Sequence, residues 1–190
     1  RGVIHAEGPT KEFVKKGGDL EGIQLWLNLP AEKKMMLANY QHIKSEDMPV
    51  VVNEDKSIEL KIVAGDQQGK KGLIETQTSV NVFAAKTMAS GKMEIEISKT
   101  HQSLIYLLDG EIIVNSEITL KKGVDQMVIF NQDGNTIEFE AKKESTLLIL
   151  SGEPINEKVA QYGPYVMNTQ TEIMEAMRDY QMGKMGFLPA

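Results

Sequence analysis

The chain has 190 residues, of which 41% are hydrophobic and 25% charged, and its formal net charge is −6. This composition supports a packed core and argues against disorder, while the acidic balance argues against a nucleic-acid-binding surface. The sequence contains no cysteine, which excludes disulfides, thiolate metal sites and cysteine nucleophiles.

The first forty residues predict an extended start followed by a strand and a short helix. Residues 1–10 alternate in character and are expected to be extended, whereas 11–19 are polar and glycine-bearing, as in a loop. Residues 21–29, EGIQLWLNL, alternate in a way that predicts a strand covered on both faces, with Trp26 in barrel packing or a domain interface. Proline cannot donate to a ladder and ends this strand, and AEKKMML should form one or two helical turns.

From about residue 56 the sequence predicts a succession of short strands separated by turn residues. The Asp109-Gly110 pair is a strong hairpin signal between two apolar runs. Strands at this spacing predict an all-β sandwich or barrel. The predicted segments are 57–65, 81–88, 92–98, the hairpin 103–116, 126–130, 135–141 and 145–152.

A helix is predicted near the C-terminus, over residues 169–183. Thr169 and Glu172 have the spacing of a capping box, in which each satisfies an N–H at the start of the helix. Gly183 suits its C-terminal end. The apolar side chains at helical spacing are Ile173, Met174, Met177 and Tyr180.

Several classes of protein are excluded by missing patterns. The sequence has no apolar run near the ~20 residues of a membrane span and no N-terminal signal segment. We therefore expect a soluble, cytoplasmic protein without membrane contact, although Arg1 is not a natural start and a removed leader stays open. A G-x-S-x-G elbow and Gly-rich phosphate loops are also absent from the sequence.

Three strings of the sequence resemble the pirin family. They are GIQLWLNLPAEKKM with Tyr40-Gln41 after it, LSGEPINEKVAQYGPYVMNT with the helix ending DYQMGKMG, and the opening RGVIHAEGP. The resemblance covers nearly the whole chain and is weakest across the strand-rich middle. QLWLNLP and GPYVMNT are its longest and most specific parts.

The resemblance implies a bicupin, that is, two double-stranded β-helix barrels, with one mononuclear Fe(II) in the N-terminal barrel. The ligands implied are an H-x-H pair and a later H-x-E pair, and His5 and Glu7 match the second. Because the sequence lacks the H-x-H pair, we expect it to be N-terminally truncated. Residues 1–50 would then be the rear of an incomplete first barrel, and 51–190 a metal-free C-terminal cupin with its terminal helix.

The chemistry of His5 and Glu7 fits this expectation. Side chains two residues apart on a strand share a face, and histidine with carboxylate is the ligand set of non-haem Fe(II) oxygenases. Glu7 could also act as the catalytic base for a substrate hydroxyl. Without the resemblance, such a pair is more often polar surface, and two ligands alone hold iron weakly. We expect His42 to face solvent and His101 to be hydrogen-bonded or exposed.

Two functions follow from the resemblance. The first is an Fe-dependent dioxygenase that opens quercetin-type flavonols, impaired in a truncated chain. The alternative is a non-enzymatic, redox-sensitive regulatory protein that binds transcription-related protein partners and not nucleic acid directly. A fragment would also expose strand edges and apolar surface, so it should pair with a second copy of itself or be held by the missing segment.

Overall fold

The computed structural model describes residues 2–188 and divides them into two compact units. Residues 41–154 form the barrel unit. Residues 2–40 and 155–188 come together in the terminal unit. Assignment of residues 1–50 to the rear of a first cupin barrel stays a prediction.

The strands account for most of the regular structure, as the all-β expectation requires. Their bounds are β1 Val50–Val52, β2 Ile58–Ala64, β3 Asp66–Gln67, β4 Lys70–Lys71, β5 Val80–Thr87, β6 Lys92–Glu96, β7 Gln102–Asp109, β8 Glu111–Val114, β9 Ile118–Lys121, β10 Met127–Ile129, β11 Thr136–Ala141, β12 Ser145–Gly152, β13 Ala160–Tyr162 and β14 Tyr165–Met167. The helices are α1 Lys11–Lys16, α2 Ala31–Lys34 and α3 Gln170–Gln181. Across residues 2–188, no helix has the length and apolar character needed to cross a bilayer.

Two antiparallel sheets build the barrel unit. The larger has the strand order β1-β2-β5-β12-β7-β10, and the smaller has the order β6-β11-β8-β9. The β12 strand pairs with β5 on one side and β7 on the other, which places Ile149 opposite both Phe83 and Ile105. Register shifts occur on β2 between Ile62 and Ala64, and on β12 at the start of its pairing with β7.

The inner faces of both sheets contribute to one apolar core. Burial alternates along β11, β6 and β7, as expected for strands with one face inward. Such alternation is the local signature of a strand with one face in a core and the other in solvent. The largest completely buried side chains are Phe83, Phe139, Ile58, Leu60, Ile62, Ile95, Ile105, Leu107, Ile112, Leu120, Leu147 and Ile149.

The predicted hairpin turn at Asp109-Gly110 is confirmed. Gly110 joins β7 to β8 with a φ of +94°, a conformation that residues with a Cβ rarely adopt. A Cβ at this position would lie 2.1 Å from Ser145 Oγ. Ser145 itself accepts a hydrogen bond from the Glu111 N–H at 3.0 Å. The turn therefore needs glycine both for its conformation and for the close approach of β12.

The prediction of a strand over residues 21–29 is wrong, and residues 2–10 are not in a strand either. The sheet pairings of residues 2–188 involve only residues 50–167, so neither segment has a neighbour to complete a ladder. The alternating side chains of 21–29 are consequently not covered on both faces. Trp26 is 63% exposed, so the expected packing of its ring inside a barrel is also wrong.

The C-terminal helix is confirmed in the terminal unit. Thr169 is the N-cap of α3, and both hydrogen bonds of the capping box with Glu172 are present. The helix packs against β13 and β14. Ile173 is its buried residue, whereas Met174 and Tyr180 are exposed, so the apolar face is narrower than the spacing predicted. Gly183 follows the helix with a φ of +72°, as expected at a C-terminal cap.

We expect Phe139→Ala to destabilise the barrel unit strongly. The Phe139 side chain has no exposed surface, and removing a buried aromatic ring costs about 3–5 kcal/mol. Urea unfolding measures the free energy, with Phe187→Ala as control because Phe187 is 84% exposed. A similar loss in both variants, or none in Phe139→Ala, would contradict the assignment of the core. If Phe139→Ala does not fold, the milder Phe139→Leu should still lower the unfolding free energy.

Candidate functional site

The predicted metal ligands His5 and Glu7 lie side by side in the terminal unit. His5 Nδ1 is 3.5 Å from Glu7 Oε1, and the two side chains are 65% and 64% exposed. Since residues 2–10 form no strand, the two side chains do not have the rigid shared face that we expected from strand geometry. Their proximity nevertheless lets one nitrogen and one carboxylate oxygen point to the same small region.

Gln24 holds the Glu7 carboxylate from a distant part of the chain. Gln24 Nε2 donates to Glu7 Oε2 at 2.8 Å, and Gln24 Oε1 accepts from Trp26 Nε1 at 3.3 Å. Beside the pair, the Ile4 N–H donates to the Met185 carbonyl at 3.3 Å. No local pattern identified Gln24, because it lies 17 residues from Glu7 and glutamine carries no distinctive spacing.

His5 and Glu7 are of the residue types that bind iron, but two ligands are fewer than an iron site needs. Non-haem Fe(II) oxygenases hold the metal by two histidines and one carboxylate, with open positions for substrate. Within residues 2–188 no group of three or more His, Cys, Asp or Glu side chains is placed to hold a metal ion. His5 and Glu7 could therefore be two of the ligands, and these described residues do not complete the site.

Glu157 connects the QLWLNLP segment to the C-terminal part of the terminal unit. Its Oε2 accepts the Ala31 N–H at the start of α2 and the Asn168 side-chain amide, each at 2.8 Å. Lys34 lies near Glu157 and Glu172. Burial lowers the pKa of Lys34, and the two carboxylates partly offset that effect. Two of the three strings that carried the family resemblance are thus joined by hydrogen bonds.

The carboxylate of Glu172 is held at the start of α3. Glu172 Oε2 accepts from the Thr169 hydroxyl at 2.9 Å, the Thr169 N–H at 2.8 Å and the Asn168 N–H at 3.1 Å. These hydrogen bonds, led by that of the hydroxyl, lower the pKa of Glu172. The arrangement is the capping box predicted from the sequence, and its role is structural.

His101 occupies a polar cluster at one end of the barrel unit, just before β7. The side chain is buried, at 6% exposed. Its Nε2 lies 2.9 Å from Ser79 Oγ and its Nδ1 lies 3.0 Å from Ser151 Oγ. The hydrogen-bonded alternative predicted for His101 is confirmed, whereas His42 is in an exposed loop as expected. The two serines were missed, because they lie 22 and 50 residues from His101.

Burial also determines the charge of His101. Loss of solvation lowers the pKa of the imidazole below its usual value of 6.5, and the nearby Glu153 carboxylate partly opposes this. The side chain is therefore neutral at pH 7. A neutral imidazole has one donor nitrogen and one acceptor nitrogen. It can therefore accept a hydrogen bond from one serine hydroxyl and donate one to the other.

A comparison with protein families matches residues 82–186 to the pirin C-terminal cupin domain. Among curated proteins, one from Pseudomonas aeruginosa, provisionally named quercetin 2,3-dioxygenase, is 33% identical over 183 residues, covering 96% of this chain and 63% of that protein. Rat pirin is 32% identical over 189 residues, covering 98% of this chain and 62% of that protein. The chain thus spans less than two thirds of the length of these relatives.

Solved structures give the same similarity in three dimensions. A crystal structure of quercetin 2,3-dioxygenase from Acinetobacter baumannii superposes with a TM-score of 0.79 at 33% identity, covering 85% of this chain and 55% of that one. A protein from Geobacillus kaustophilus gives a TM-score of 0.65 at 25% identity, covering 70% of this chain and 54% of that one. These similarities confirm the cupin fold.

We expect Glu157→Ala to loosen the start of α2. The variant removes the acceptor of the Ala31 N–H, an exposed hydrogen bond with a contribution of about 1 kcal/mol. Hydrogen–deuterium exchange of the peptide spanning residues 28–36 should therefore be about fivefold faster. Glu175→Ala, which changes an exposed carboxylate on α3, is the control. Unchanged exchange in Glu157→Ala would show that this contact does not hold the segment.

The lowered pKa of His101 predicts a loss of stability on acidification. Below pH 6.5 the unfolded chain binds a proton at this position before the folded chain does, so the unfolding free energy falls until the pH reaches the lower folded pKa. The carboxylate that acts on the imidazole is that of Glu153, just after β12, while the acidic residues Asp66 and Glu96 line the same cavity as His101.

Urea unfolding between about pH 7.5 and pH 5 measures this dependence, in a range where ordinary carboxylates stay ionised. His101→Gln should flatten the curve, and the matched His42→Gln should leave it unchanged. A curve that keeps its slope in His101→Gln would assign the effect to another group.

Proposed function

This chain belongs to the pirin family of cupin proteins, and from that membership we propose that it is part of an iron-dependent dioxygenase acting on quercetin-type flavonols. The observation that supports the proposal most directly is the 33% identity to two proteins that are named quercetin 2,3-dioxygenases, one by sequence and one by structure. The chain covers only part of each, so the activity proposed is that of the protein that contains this sequence.

We propose His5 and Glu7 as two of the iron ligands. One is an imidazole and the other a carboxylate, and their nearest polar atoms are 3.5 Å apart. The remaining iron ligands would be supplied by other parts of the protein that contains this sequence. When bound, the metal would supply a site at which flavonol and dioxygen can both coordinate.

The residues of this chain would contribute positioning and proton handling. Gln24 donates to Glu7 Oε2, which leaves Oε1 turned toward His5. Glu7 is the group that we propose to take the proton of a flavonol hydroxyl, since a carboxylate at the reacting group can act as a general base. Gln24 would keep that carboxylate in one orientation.

The expectation of a regulatory protein partner also stays a prediction. No observation on residues 2–188 favours it over the oxygenase, and the names of the relatives do not describe such a partner. Self-association is likewise untested, as is a cytoplasmic location.

We expect His5→Ala and Glu7→Ala to lose iron and activity together. In the protein that contains this sequence, reconstituted with Fe(II), each variant should lower bound iron and quercetin-dependent dioxygen uptake by more than about tenfold. Mutation of a residue that only hydrogen-bonds to a metal ligand already lowers metal affinity or activity by about tenfold or more. Metal analysis and an oxygen electrode measure the two quantities. The control is His42→Ala, which changes an exposed histidine and should behave as the parent protein.

Two outcomes would contradict the proposal in different ways. Full iron binding in both ligand variants would show that His5 and Glu7 are not ligands. Iron-loaded parent protein that consumes no dioxygen with quercetin would remove the flavonol activity but leave the metal assignment intact.

A further inference from the structure

A polar groove lies at one end of the barrel unit, away from residues 2–40 in the sequence. The ends of strands from both sheets surround a cavity of about 380 Å³. The larger sheet contributes Asn81, and Ser79 and His101 come just before its strands β5 and β7. The smaller sheet contributes Glu96 and, just before β11, Asn135. The groove is therefore formed by the open end of the two-sheet barrel.

The wall of the groove is fixed by a buried amide. Gln67 is only 2% exposed. In the amide orientation that satisfies both of its polar atoms, it donates to the Glu96 carbonyl at 3.2 Å and accepts from the Glu96 N–H at 3.1 Å. These two hydrogen bonds connect β3 to β6, so Gln67 holds the two sides of the groove together.

A chain of hydrogen bonds runs behind the floor of the groove. Asn81 Oδ1 accepts from the Asp66 N–H at 3.4 Å, which orients the amide so that its Nδ2 donates to Ser151 Oγ at 3.0 Å. Ser151 Oγ contacts His101 Nδ1, and His101 Nε2 contacts Ser79 Oγ. The exposed Ser79 is thus positioned by a buried neutral imidazole.

Ser79 keeps hydrogen-bonding capacity toward the groove. A hydroxyl has one donor and two acceptor positions, and the contact with His101 uses one of them. Asn135 and Ser98 line the same cavity. Polar groups with fixed positions on a concave surface are the usual basis for orienting a small ligand.

The charge and polarity of the lining select the class of ligand. Asp66 and Glu96 supply two carboxylates, and the described lining residues include no lysine or arginine, which disfavours an anion. They also include no aromatic side chain and only one large apolar one, Ile97, which disfavours a flat apolar ring system such as a flavonol. Carboxylates, amides and hydroxyls together are suited to neighbouring hydroxyl groups, which both donate and accept.

We propose that this groove is a second small-molecule site, which binds an uncharged compound carrying several hydroxyl groups, such as a polyol or a monosaccharide. Ser79 and Asn135 contact the ligand, and His101 is a positioning residue that acts through Ser79. The proposal does not rest on His5 and Glu7, so it stands or falls separately from the oxygenase activity proposed above.

Ligand-observed saturation-transfer NMR on the protein that contains this sequence tests the proposal. The probes are ribitol, ribose and myo-inositol, with ribose 5-phosphate as the anionic comparison, putrescine as the cationic one and cyclohexanol as the apolar one. We expect saturable signals from the hydroxyl-rich, uncharged probes and much weaker ones from the other three.

Variants locate the binding. Ser79→Ala and Asn135→Ala should each weaken the apparent affinity by about fivefold, the usual effect of one lost hydrogen bond. Ser116→Ala removes an exposed hydroxyl outside the groove and is the matched control.

Three results would overturn the inference. One is the absence of a saturable signal from every hydroxyl-rich probe, and another is equal affinity in Ser79→Ala, Asn135→Ala and Ser116→Ala. The third is stronger binding of putrescine or ribose 5-phosphate, which would assign the groove to a charged ligand. If Ser79→Ala does not fold, Asn135→Ala still decides the second point, because Asn135 is not part of the hydrogen-bond chain through Asn81, Ser151 and His101.

Discussion

The barrel unit depends on the register of β12, which pairs with β5 along one edge and with β7 along the other. Its alternate residues Leu147 and Ile149 enter the core, and a slip by one residue would turn them outward. Because both neighbours are fixed by the same strand, the larger sheet has one arrangement. The smaller sheet then closes the core with side chains such as Ile95 and Phe139.

The ends of the barrel unit follow from the same constraint. Where β12 ends, Ser151 continues the inward alternation but meets polar side chains from the starts of β5 and β7. Buried polar groups need hydrogen-bond partners, and here Asn81, Ser151 and His101 supply them to one another. The neutral state of His101 belongs to this arrangement, since a charged imidazole would be poorly solvated in that position.

Most of the barrel unit could be predicted because its signals are local. Alternation identified β6, apolar runs bounded by turn residues identified β7 and β12, and Asp109-Gly110 fixed a turn whose glycine the fold requires. The shortest strands, such as β3 and β13, contain too few residues for a pattern to be seen. The strand prediction for residues 21–29 failed for a different reason. Alternation predicts which side chains could share a face, but a strand also needs a neighbouring strand. Whether such a neighbour is present depends on residues far away in the sequence.

The residues of the candidate sites also fall into those with a local sequence signal and those without one. His5 and Glu7 could be proposed because two residues of separation can be read directly and because their context resembles a known family. Gln24, Ser79 and Ser151 were not found, since each becomes a partner only through folding. Knowledge of the family gave no help with the Ser79–His101–Ser151 cluster, which carries no motif.

The two candidate sites also differ in how much order exists before a ligand arrives. His5 and Glu7 are mostly exposed and need further ligands, so an ion bound there must order these side chains beyond the one contact that Gln24 makes with Glu7. His101 and Ser151 are already buried and hydrogen-bonded, so a ligand in the groove meets groups whose positions are set. The groove lining is polar and carries two carboxylates, whereas a flavonol is largely aromatic. The flavonol chemistry that we propose is therefore better assigned to the surroundings of His5 and Glu7, and the proposed ligand of the barrel groove should be a different molecule.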